Sequence, residues 1–141
     1  MNVVRIKLLN EKAVIPTYAD PGASGFDFYS TSELILPVNS SGIVGTGISF
    51  QIPFGYEIQV RGRSGMAFIN DILAHFGTID ESYRGEVKIK LWNLGNEPFP
   101  IKVGQRVAQG VLAPVERAIF LEAFDLSNTQ RGIGGIGSSG E

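Results

Sequence analysis

Along most of this chain apolar and polar residues alternate in short runs, and a turn cuts off each run before it could fill a helix. The runs "VVRIKLL", "YEIQVR" and "EVKIKLW" have the period of two that marks a strand with one buried and one wet face. Between such runs stand "DPGASG", "LPVNSSG", "QIPFGY", "NLGNEPFP" and "KVGQR", each carrying the Gly, Pro, Asn or Asp chemistry of turns. Many short strands at this spacing predict a sandwich or barrel. Only "SGMAFINDILAHF", Ser64 to Phe76, leaves room for a helical turn or two, with Ser64 or Arg63 near its start and Gly77 closing it. The expected class is all-β with at most one short helix.

At 141 residues and 43% hydrophobic content the chain has the size and apolar content of one domain with a real core. A net charge of -2 argues against general affinity for nucleic acid or an acidic membrane, which needs a concentrated excess of Lys and Arg. Without cysteine there is no disulfide, thiolate nucleophile or Cys-based zinc site, and the single His75 builds no histidine cluster. A metal would have to be held by oxygen. Charged residues interrupt the opening "MNVVRIKLLNEKAVIP", which therefore carries no signal-peptide core or membrane span, and a cytoplasmic protein is expected. The barrel domain is expected to occupy residues 1–126, and the polar, Gly-rich stretch 127–141 to form a mobile arm.

Four stretches carry candidate chemistry. "GIGGIG", Gly132 to Gly137, fits the glycine spacing of phosphate-binding loops, but the strand, helix and lysine those loops need are missing. What remains is a backbone free to wrap an anion, with Arg131, Ser138 and Ser139 as donors, or else a frayed chain end. "VRGRSGMA" sets Arg61 and Arg63 where a strand passes into a turn or helix start, which by itself reads first as a solvated strand end with an N-cap serine and also suits phosphate. "GTIDESYRGEVKIKLWN" reads as a β-hairpin presenting Asp80, Tyr83 and Arg84, with Asp80 either a turn aspartate or a partly desolvated carboxylate able to orient water. In "ADPGASGFDFYS" alternation puts Phe26 and Phe28 on one face and Asp27 on the other, as a capping carboxylate or one meeting a hydrated metal. His75 has no Ser or Cys partner pattern and is expected to be a surface histidine or one satisfied by local hydrogen bonds.

Taken in order, "GASGFDF", "GRSGMA", "GTIDESYRGEV", "GQRVAQ" and "RGIGGIGSSG" resemble the five motifs of the trimeric deoxyuridine triphosphate nucleotidohydrolases, the dUTPases, from about Ala19 to Gly140. The resemblance implies a jelly-roll-like β-barrel forming a homotrimer, each active site being shared between subunits and covered by the C-terminal arm. It also implies hydrolysis of dUTP to dUMP and pyrophosphate, which limits uracil in DNA and supplies dUMP for thymidylate synthesis. The residue matching Asp80 would position the water that attacks the α-phosphorus. Mg²⁺ would be held mainly by the substrate phosphates, with Asp27 acting on it through water. Arg63, Ser64 and Gly65, Gln109, and Arg131, Gly137, Ser138 and Ser139 would bind the phosphates. Gly77, Ile79 and Lys88 would frame the uracil, and Tyr83 would pack against the sugar and exclude a 2′-hydroxyl.

The chain departs from the family pattern at three places. Ile136 stands where an aromatic residue usually stacks on uracil, a loss on the scale of about 0.5–1.5 kcal/mol for an aromatic pair. Gln105 replaces a usual acidic residue, and Gly62 a common proline. Two other functions share this scaffold: a dCTP deaminase, which needs a glutamate-centred site in the third motif, and a nucleotide-switched regulatory binding protein.

Overall fold

A computed structural model describes residues 2–136. Eleven strands and one helix follow in the order β1 (Arg5–Leu8), β2 (Phe26–Tyr29), β3 (Leu34–Leu36), β4 (Ser40–Gly45), β5 (Ile48–Gln51), β6 (Tyr56–Arg61), α1 (Ser64–Asn70), β7 (Ile72–Ala74), β8 (Gly77–Ile79), β9 (Lys88–Asn93), β10 (Phe99–Ile101) and β11 (Arg106–Pro114). All ladders are antiparallel. They form a four-stranded sheet β2-β11-β6-β8, a three-stranded sheet β4-β9-β7 and two pairs, β1-β5 and β10-β3, a jelly-roll arrangement. The three alternating runs of the sequence are β1, β6 and β9, as their period of two predicts.

The barrel is filled by the inward residues of these strands. Phe26, Phe28 and Phe50 meet edge to face, with ring centroids 5.4, 6.1 and 6.2 Å apart, the preferred geometry for aromatic pairs. Gly110 on β11 leaves them room: a Cβ there would stand 2.5 Å from Phe26 Cζ and 2.9 Å from Phe28 Cε2. Replacing Gly110 by Ala should therefore lower unfolding free energy by about 1–3 kcal/mol, the usual cost of overpacking, in a urea titration. A change below about 0.5 kcal/mol would mean that the rings relax freely.

Two expectations about local structure are corrected. The helix ends at Asn70 and not near Gly77, because Asp71 adopts the left-handed conformation (φ 54°) and returns its N–H to the Met66 carbonyl. Ile72 beyond it is buried and pairs with Asn93 on β9, so "ILA" is a strand and Gly77 begins the next one. Nor is the third motif a hairpin. β8 pairs with β6 in one sheet and β9 with β4 and β7 in the other, so residues 80–87 cross between sheets.

Regular structure ends at Pro114. Ile119, Phe120, Leu121, Phe124 and Leu126, which fall within the expected barrel domain 1–126, are each at least 85% exposed in the single subunit. No helix among the described residues is long and apolar enough to cross a membrane.

Candidate functional site

The order β2-β11-β6 builds one half of the site. Gln109 on β11 lies opposite Asp27 on β2 and Arg61 on β6. Asp27 faces away from the core because its neighbours Phe26 and Phe28 face into it. Its two oxygens are held by different arginines, Oδ1 by Arg63 Nε at 3.1 Å and Oδ2 by Arg106 Nη1 at 3.3 Å. Arg63 Nη1 also donates to the Arg106 carbonyl at 3.2 Å, and Gln109 Nε2 donates to the Gly62 carbonyl at 2.8 Å. A Cβ at Gly25 would lie 2.5 Å from Gln109 Oε1, which explains a glycine beside the aspartate in the first motif. The arginines line an open cleft of about 590 Å³ together with Tyr29, Gly65, Met66 and Phe99. Ser64, the first helical residue, is exposed.

Arg106 is a member of this cluster that the sequence reading missed, and a bulge explains why. Strict alternation back from Gln109 would turn Arg106 inward. The register shift between Arg106 and Ala108 buries Val107 and Ala108 consecutively and turns Arg106 out to Asp27. A β-bulge leaves no signature in a pattern of period two.

The other half is a pocket of about 270 Å³ that brings together Gly77, Ile79, Asp80, Tyr83 and Lys88, with Val60, Thr78, Glu86 and Val87 completing its wall. β8 is the edge strand of its sheet, so backbone groups on its outer side have no strand partner. Tyr83 donates its hydroxyl proton to the Glu86 carbonyl at 3.0 Å. Its ring lies against Gly85, where a Cβ would come within 2.6 Å of Tyr83 Cζ. Glu86 in turn accepts from the Gly47 N–H at 3.0 Å, so the pocket wall is tied to the β4–β5 turn. Asp80 stands exposed at the end of β8 in the single subunit rather than partly desolvated, because the sheet stops there and residues 80–84 turn outward.

The cleft at Arg63 contains none of the pocket residues. Arg131 is in neither: its Nε and Nη2 donate to the carbonyls of Gly134 and Gly135 at 2.9 and 3.3 Å, and Ile136 is fully exposed. Gly137, Ser138 and Ser139 lie outside the described residues. His75 is exposed, as expected of a surface histidine. Among the described residues no three His, Asp or Glu side chains converge as metal ligands, and Asp27 is already shared by two guanidinium groups.

A family model for dUTPase matches residues 11–140. The chain belongs to the dUTPase family. Curated dUTPases share its length: the deoxyuridine 5'-triphosphate nucleotidohydrolase of Nautilia profundicola is 48% identical over 98% of this chain and 99% of its own, and that of Helicobacter hepaticus 45% identical over 97% and 88%. A mutant of the Staphylococcus bacteriophage 80alpha dUTPase with dUpNHpp superposes with TM-score 0.94 over the whole of both chains at 23% identity, which establishes the common fold. A mutant dUTPase from phage phi11 of S. aureus, described with a structural Mg(II) ion, superposes with TM-score 0.83 at 21% identity over 88% of this chain and 98% of its own. One of this dUTPase's departures from the family pattern has a local explanation, and Gly62 has none in the structure. Gln105 Oε1 accepts from the Lys102 N–H at 2.9 Å and closes the turn into β11. A Cβ on Gly62 would meet nothing nearer than the Ala74 nitrogen at 3.8 Å.

Proposed function

We propose that this chain hydrolyses Mg²⁺-bound dUTP to dUMP and pyrophosphate. The observation that carries the reading is the pocket formed by the free edge of β8, with Asp80 at its rim and Tyr83 and Lys88 across from it, in a chain of the dUTPase family. Uracil fits the backbone of Gly77 to Ile79 as a strand partner would, exchanging hydrogen bonds with the unpaired edge. Cytosine would set its amino group against a backbone donor and leave a buried polar group unpaired, and thymine would add a methyl group to a narrow slot. Tyr83, pinned by its hydroxyl to Glu86, lies where a 2′-hydroxyl would need room.

Asp80 takes a proton from the attacking water as its oxygen bonds to the α-phosphorus. The bond from that phosphorus to the bridging oxygen breaks, and pyrophosphate leaves with the electron pair. Phosphoryl transfer asks chiefly for fixed positive charge around the phosphates. Arg63 supplies one such charge, and Asp27 holds it in orientation through its Nε while Arg106 shares the same carboxylate. Ser64, Gly65 and Gln109 add donors from the same cluster, and Arg131, Ser138 and Ser139 from the arm. Mg²⁺ would be held mainly by the substrate phosphates and would neutralise their charge, and Asp27 would act on it only through water.

The chain works as a homotrimer in this reading. Two observations support it: the cleft at Arg63 and the pocket at Asp80 are separate within one subunit, and the segment from Ile119 to Leu126 leaves five large apolar side chains exposed. A subunit neighbour that covers them removes that surface from water.

The test is release of pyrophosphate from dUTP, dCTP, dTTP and UTP in the presence of Mg²⁺. Turnover of dUTP alone is expected, and ammonia release from dCTP would overturn the reading. Replacing Tyr83 by Ala should bring kcat/KM for UTP nearer to that for dUTP by roughly 10-fold or more. An unchanged ratio would remove Tyr83 from sugar discrimination.

A further inference from the structure

A second depression, of about 360 Å³, also has Asp80 in its wall, together with Tyr56, Glu57, Glu81, Val115 and Arg117. Three segments distant in sequence meet there on one glycine. Gly55 occupies the positive-φ position (79°) of the turn closed by Tyr56 N–H to the Pro53 carbonyl at 3.2 Å. Its N–H donates to Glu81 Oε2 at 2.8 Å, and its carbonyl accepts from the Val115 N–H at 2.9 Å. The other oxygen of Glu81 pairs with Arg117 Nη2 at 3.5 Å. Arg117 lies 5.8 Å from the centroid of Phe54, in the same turn as Gly55, and so closes the triangle.

The residue next to Asp80 is thereby fastened both to the β5–β6 turn and to the point where the chain leaves the barrel. Other bonds of the 80–84 turn stay within residues 80–86: Tyr83 N–H to the Asp80 carbonyl at 3.1 Å, Arg84 Nη1 to the Tyr83 carbonyl at 2.9 Å, and the Tyr83 hydroxyl to the Glu86 carbonyl at 3.0 Å. Among the described residues, of the side-chain bonds from residues 80–84 only those of the Glu81 carboxylate reach beyond residues 80–86. We propose that Glu81 is a positioning residue that aims the Asp80 carboxylate, and that Arg117 makes this aim depend on the path of the departing C-terminal segment. The proposal rests on the reading of Asp80 as the group that activates water.

Magnitudes select the readout. Arg117 is 67% exposed and its pair with Glu81 contributes little to stability. A shift of about 1 Å at a reacting group, in contrast, can lower a rate about 100-fold. The signature is therefore a loss of kcat with KM for dUTP and thermal midpoint nearly unchanged. Glu81→Ala, which loses both bonds, is expected to lower kcat about 10-fold, and Glu81→Gln, which keeps an acceptor for Gly55 but loses the charge, about 3-fold. Arg117→Gln should match Glu81→Gln. The double variant Glu81→Gln/Arg117→Gln should be no slower than either single one, since both remove the same contact.

Parent kcat in all the Glu81 and Arg117 variants would overturn the proposal, as would a rise in KM at constant kcat. So would a double variant whose loss is the product of the single losses. If Glu81→Ala fails to fold, the Gln variants and their double still decide it. A parent protein inactive on dUTP would instead refute the function, so the two failures are distinguishable.

Discussion

Replacing Asp80 by Asn is expected to lower kcat for dUTP hydrolysis by roughly 10²- to 10⁴-fold, the usual contribution of a positioned general base, with KM changed by no more than about 3-fold. Asn keeps the shape and the hydrogen-bonding oxygen but cannot accept a proton from water. Asp80 is exposed at the end of β8, and its carboxylate makes no hydrogen bond or salt bridge among the described residues. Its loss should therefore leave the thermal midpoint within about 2 °C of the parent. The decisive measurement is pyrophosphate release under saturating dUTP and Mg²⁺. Near-parent turnover would remove Asp80 from the chemistry, and a large fall in thermal midpoint would reassign it to the fold.

A chain ending at Asn128 should keep its fold and its oligomeric state yet lose at least about 100-fold in turnover. The bonds recorded for residues 129–136 are local, from Gly132 N–H to Thr129 and from Arg131 to the carbonyls of Gly134 and Gly135, so the barrel gives up no hydrogen bond when they go. The apolar residues Ile119 to Leu126 remain, and with them the surface assigned to subunit association. In the proposed reaction what is lost is Arg131, Ser138 and Ser139 as donors to the triphosphate, where one preorganised donor is worth about 10²–10³ in kcat. In that reading the arm closes over substrate, and a chain without it would hold the phosphates from one side only. Size-exclusion chromatography and circular dichroism check the oligomeric state and the fold, and steady-state kinetics check the loss. Parent-like kcat in the shortened chain would exclude the arm from the reaction.

Much of the site was legible because it depends on local order. The alternation of Phe26, Asp27 and Phe28 sent the carboxylate outward to a cluster with Arg63 and Gln109, and the succession of five motifs named the family before any fold was in view. Gly77, Ile79 and Lys88, expected at the base, line one pocket with Tyr83, expected at the sugar, and Asp80, expected at the attacking water. The reason offered for that grouping was a hairpin, and the pocket is in fact made where two sheets separate between β8 and β9. A turn with alternating flanks is compatible with either arrangement, since period two says which face is buried and nothing about which strand lies alongside.

The division between the two levels is physical. Strand type, turn positions, the outward direction of Asp27 and the identity of the chemical groups follow from near neighbours in the chain, and the sequence alone determined them. Partner choice is non-local, and so only the tertiary structure decided that β8 would be a free edge, that Asp71 would end the helix for β7 to join β9, and that Gly55 would gather Glu81 and Val115. It also decided the bulge at Val107 that delivers Arg106 to Asp27, because one extra residue in a ladder reverses the faces that alternation assigns.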